Sequence, residues 1–67
     1  EIPSVRLAND IAAQFHHLPK DVAVQAIADH LHMFWEPRML TQLNAHVAAG
    51  GEGLDELVIA ATDALRR

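Results

Sequence analysis

Five histidines, at positions 16, 17, 30, 32 and 46, are the side chains of this 67-residue sequence with the most evident chemical capacity. Histidine is the commonest metal ligand and the usual proton carrier near neutral pH. A metal site on a helix needs ligands three or four residues apart, so that they share a face. His16 and His17 are adjacent, His30 and His32 are two apart, and no histidine pair stands at i, i+4. His32 and Glu36 have that spacing, but Pro37 ends the helix there. Surface or half-buried histidines are therefore expected, and no metal site. His30, one turn before Phe34, is expected to bond to a neighbouring turn or to a partner.

Nucleophilic and phosphate chemistry find no better footing. The chain has no cysteine, no glycine-rich loop after a strand, no G-x-S-x-G and no carboxylate pair set in an obvious pocket. Ser4 reads as a helix cap, and Thr41 and Thr62 as helix-surface hydroxyls. A helical chain of this length rarely encloses the ~300–1,000 Å³ that a substrate needs. Catalysis by the chain itself is not expected, nor a cofactor bound by it.

The unusual residues gather instead in residues 30–39, which hold the single Trp, one of two Phe, both Met and a proline. Burying ~200 Å² of indole contributes ~5 kcal/mol, on the scale of a small domain's whole stability. Trp35 is thus either core or an exposed anchor, with core packing the stronger of the two. Arg38 breaks a local rule, because a cation in the first turn of a helix faces the positive end of its dipole. Either it bonds to the carbonyls ending the preceding helix or to a carboxylate such as Asp29, or it reaches a partner. His30, Phe34, Trp35, Pro37, Arg38 and Met39 are the candidate interface residues.

The elements that position them follow from apolar spacing. Val5, Ala8, Ile11 or Ala12, Phe15 and Leu18 make a stripe on a first helix, 4–17, with His16 and His17 in its last turn. Asp21 caps a second, 20–35, or lies in its first turn if Pro19 or Lys20 begins it; its stripe is Ala23 or Val24, Ile27, Leu31 and Phe34. Pro37 disfavours helix at Glu36 and suits the first turn of a third helix, 37–49, which carries Met39 or Leu40, Leu43 and Val47. Gly50 and Gly51 stop it. A fourth, 54–66, carries Leu54, Leu57, Val58, Ala61 and Leu65, with Asp55 and Glu56 opening it and Arg66 and Arg67 closing it. No stretch alternates with period two. The expected fold is all-α: one domain over 1–67, a small bundle of four short helices with a helix–proline–helix corner at Trp35 to Pro37.

None of these helices is stable alone. A chain of this size buries only ~60% of its unfolded surface, and without cysteine it has no disulfide staple, so a partner is the leading aid. A net charge of −4 with only five Lys or Arg argues against nucleic acid. No apolar run approaches a membrane span. Glu1 stands where a start methionine would, so the native start is expected to have been removed or to lie upstream. No signal pattern is visible, and cytoplasm is the default.

His30, Phe34-Trp35, Glu36 and Pro37-Arg38-Met39 resemble the H-x-x-x-F-W-[DE]-P-R-M signature of the delta subunit of NAD-dependent, molybdenum-containing formate dehydrogenases. Upstream, Arg6 to Ala12 resembles the family's R-x-A-N-x-I-A opening. Downstream, Gly50, Gly51 and Gly53-Leu54-Asp55, with the apolar run after them, complete the likeness. Where members often carry basic residues between the His and the Phe-Trp, this chain has His32 and Met33, so recognition of an acidic surface by that segment is not implied. The resemblance implies a non-catalytic accessory subunit that binds the catalytic alpha subunit. The partner complex would carry bis-molybdopterin guanine dinucleotide, iron–sulfur clusters and FMN. A transient maturation factor and a self-standing homodimeric helical adaptor are the alternatives.

Overall fold

The computed structural model describes residues 3–66. It holds four helices, α1 (Pro3–Gln14), α2 (Lys20–Phe34), α3 (Pro37–Ala48) and α4 (Glu56–Leu65), and no strand among the described residues. The all-α expectation is met, and the departures at the helix ends have local causes. No helix among the described residues is long and apolar enough to cross a membrane.

α1 stops three residues early. Phe15 and Leu18 close three-residue turns onto Ala12 and Phe15, with N–H to carbonyl distances of 3.0 and 3.1 Å. Such tightening is usual at helix ends, and it places His16 and His17 beyond the helix rather than in its last turn. Ser4 is not the cap. The helix has already begun at Pro3, so Ser4 lies inside the first turn, on the same face as Ala8 and Ala12, and is buried with them. Its Oγ has no hydrogen-bond partner among the described residues.

α2 begins at Lys20, which puts Asp21 in its first turn. Ala23, Ile27, Ala28 and Leu31 are buried, and α2 packs most extensively on α4. Phe34 leaves the predicted stripe and is 68% exposed, whereas Trp35 is half-buried against the core. Trp35 (φ −92°, ψ 139°) and Glu36 (φ −70°, ψ 151°) are both extended, and at Glu36 this is the conformation that the following proline favours. Pro37 then opens α3 as its first residue, where a missing N–H costs nothing.

α3 buries Leu43 and ends in a Schellman turn. Gly50 N–H donates to the Val47 carbonyl at 3.0 Å and Gly51 N–H to that of His46 at 2.9 Å, with φ of +122° and +67° at the two glycines. Gly51 is buried, and a Cβ there would lie 2.9 Å from Ile59 Cδ1. α4 begins two residues later than its apolar spacing suggests, because the Asp55 side chain caps it by accepting the Leu57 N–H at 2.9 Å. Leu57, Val58 and Ala61 complete the core. Thr62 is buried rather than on the surface, its hydroxyl donating to the Ile59 carbonyl at 2.9 Å. Arg66 follows the helix and reaches Asp63 at 3.4 Å, while Arg67 lies outside the described residues.

Candidate interaction surface

Polar side chains from α1, the turn after it and α3 converge on one loop, residues 50–55. From α1, Asn9 Nδ2 donates to the Gly53 carbonyl and its Oδ1 accepts the Asp55 backbone N–H, both at 2.8 Å. From the turn after α1, His16 Nε2 donates to Asp55 Oδ2 at 2.6 Å. From α3, His46 Nε2 donates to the Glu52 carbonyl at 2.6 Å. Carbonyls and carboxylates only accept, so both rings carry a proton on Nε2 in these contacts. Asp55 is the node: its backbone N–H, both carboxylate oxygens and its carbonyl, which takes the Val58 and Ile59 N–H groups, are all engaged.

This clamp joins α1, α3 and the start of α4, and spacing did not reveal it. Asn9 lies outside the apolar stripe and its partners are more than forty residues away in sequence. The available signal was the pairing of two motifs, the R-x-A-N opening and the G-L-D turn, which the fold brings into contact.

Around the clamp lie two surface grooves. One of about 570 Å³ is lined by Arg6, Asn9, Asp10, His46 and Glu52 among others, the second of about 590 Å³ by His16, Leu18, Lys20, Asp55, Glu56 and Leu57. Both reach the volume of small-molecule sites. Their central polar groups, Asn9, His46, His16 and Asp55, are already bonded within the chain, and Arg6, Asp10, Lys20, Glu52 and Glu56 are exposed. Among the described residues no three His, Cys, Asp or Glu come together as a metal-binding group.

The six residues of the α2–α3 corner divide between core and solvent. Trp35 and Met39 are half-buried, Trp35 against the core. Pro37 and Arg38 are exposed, as is Phe34. His30 is half-buried and lies on Phe34, ring centroids 4.9 Å apart and planes at 42°. Arg38 makes no hydrogen bond or ion pair among the described residues. Asp29 is taken by Gln25 Nε2 at 2.9 Å, and the α2 C-terminal carbonyl of Leu31 by the Trp35 N–H at 3.1 Å. The corner thus exposes Phe34 and Pro37 beside a guanidinium that has no partner among the described residues.

The site is thus a small all-α bundle whose Asn9, His16, His46 and Asp55 side chains are bonded within the chain, with Phe34 exposed at the α2–α3 corner. The chain belongs to the family described as NADH-dependant formate dehydrogenase delta subunit FdsD, matched over residues 5–62. No curated protein and no solved structure matches it.

Proposed function

We propose that this chain is a non-catalytic accessory subunit of a cytoplasmic NAD-dependent formate dehydrogenase, and that it binds and stabilises the molybdenum-containing catalytic alpha subunit. Membership of the delta-subunit family over residues 5–62 carries this reading. Formate oxidation then belongs to the bis-molybdopterin guanine dinucleotide centre of the alpha subunit, and electron transfer to the iron–sulfur clusters and FMN of the complex. With no cysteine, this chain has no thiolate for a cluster. Its contribution is mass action: a partner that binds only the folded, loaded state raises the population of that state, by ~2.7 kcal/mol when its concentration is a hundred times the dissociation constant.

Affinity purification through a tag on this chain tests the proposal. A molybdenum-containing formate dehydrogenase should co-purify at about one copy of the chain per catalytic subunit, and deletion of the chain should lower the enzyme's molybdenum content and activity together. If no dehydrogenase is retrieved and deletion changes neither quantity, the proposal is wrong. Retrieval far below one to one, with molybdenum still lost on deletion, would replace a permanent subunit by a maturation factor that leaves.

A further inference from the structure

α1 is held to the fold by different means from the other helices. The largest fully buried side chains, Ile27, Leu31, Leu43, Val58 and Thr62, come from α2, α3 and α4, whereas α1 buries only the small side chains of Ser4, Ala8 and Ala12 among its described residues. An alanine brings one methyl to the core where a leucine brings four carbons, so burial holds α1 weakly. Charge does not compensate. α1 has no acidic side chain in its first turn and no basic one in its last, where α2 has Asp21 and His32, α3 has His46 and α4 has Glu56. A helix of twelve residues is also marginal on its own in water.

What secures the middle of α1 is polar. Asn9 donates to the Gly53 carbonyl and accepts the Asp55 N–H, both at 2.8 Å. Along these bonds runs the groove of about 570 Å³, with Val5, Arg6, Asn9 and Asp10 of α1 on one wall and His46 and Glu52 on the other. The seam there is open to water rather than closed by packing. The far end is anchored more firmly: Ile11, and after the helix Phe15 and Leu18, pack against the core, and His16 bonds to Asp55 at 2.6 Å.

We infer that α1 is a latched strap, which opens as a unit while α2 and α4 stay packed on each other, with the turn at residues 15–18 as its hinge and Asn9 as its latch. Segments with few buried apolar groups and water-exposed bonds open at a lower free energy than the whole fold. Both Asn9 partners lie in one loop, so the two bonds break together. Opening uncovers the surface of the bundle beneath Ala8 and Ala12, which the closed form hides. The latch sets how often that surface is presented, and anything that binds it draws on the open population.

Native-state hydrogen exchange of the full chain, followed amide by amide by NMR in rising urea, tests the inference. Protection of the Leu7 to Ala12 amides should be at least ~10-fold lower than that of the best-protected amides of α2 and α4. Its urea dependence should be weaker, because opening one helix exposes less surface than unfolding does. Ile27→Val, at a buried position of α2, weakens the closed and open forms alike; it should lower protection in α2 and α4 by ~2–10-fold and leave α1 unchanged. Asn9→Ala weakens only the closed form and should lower α1 protection by ~5–10-fold. If α1 is as protected as α2 and α4, or if Ile27→Val lowers all three helices equally, α1 opens only with the whole fold and the inference is wrong. It is equally overturned if Asn9→Ala leaves α1 protection unchanged. Should Ile27→Val fail to fold, the parent chain decides: equal urea dependence in α1 and α2 would rule out a separate strap.

Discussion

Replacing Asn9 by alanine removes both side-chain bonds that tie α1 to the 50–55 loop, and the size of the effect can be worked out. Each bond is 2.8 Å long, and a net hydrogen bond contributes ~0.5–1.5 kcal/mol. The two ends are not equal. Gly53 is exposed, so water replaces the lost donor at its carbonyl, whereas Asp55 is half-buried and its N–H is left with a poorer substitute. Together the losses come to about 2 kcal/mol. Alanine is the better helix former by up to ~0.7 kcal/mol and offsets part of this, leaving a net destabilisation of about 1–1.5 kcal/mol. For a domain of this size that lowers Tm by ~4–12 °C. Gln14→Ala is the matched reference: it removes an exposed amide from the same helix that makes no hydrogen bond among the described residues. Thermal and urea unfolding followed by circular dichroism measure both, and hydrogen exchange at the Asp55 amide reports the local opening. If Asn9→Ala melts as high as Gln14→Ala, the clamp contributes nothing and the loop is held by apolar packing alone.

The same loop yields other expectations. Asp55→Ala removes the cap of α4 and the acceptor of His16, and should cost ~1–2 kcal/mol in urea unfolding; His16→Ala should cost less, because its ring is more than half exposed and the contact is screened. Gly51→Ala should lower stability by ~1–2 kcal/mol, since φ is +67° there and the new methyl meets Ile59; a Tm equal to the parent's would show that the turn rearranges freely. Ser4→Ala should raise Tm by a few degrees, because it deletes a buried hydroxyl with no partner among the described residues and improves helix propensity by about 0.5 kcal/mol. A fall in Tm instead would mean that the hydroxyl is bonded.

The helices were legible because apolar spacing and punctuation agree. Pro37 and the Gly50-Gly51 pair end and begin elements by backbone rules that no distant contact overrides. What failed were features set by competition. Ser4 is a good cap by type, but Pro3 starts the helix first and turns the hydroxyl into the core. His16 fits a helix end by charge, yet the tightened turns after Gln14 release it toward Asp55. Asp55 has good cap chemistry, and the apolar position at Leu54 drew the predicted boundary past it.

The Phe34 and Trp35 pair shows why the site was harder to read than the fold. Both are compatible with a 3.6-residue period after Leu31, at three and four residues respectively, and which one turns inward depends on where the chain is led next. Pro37 holds Glu36 extended and so stops α2; Trp35, the extended residue that follows the helix, packs against the core, while Phe34 ends the helix exposed. Asn9, His16, His46 and Asp55 are bonded in closing a loop, while Met33 and Phe34 are left exposed. Pro37, by stopping α2 at Phe34, leaves Met33 and Phe34 at the end of that helix 72% and 68% exposed.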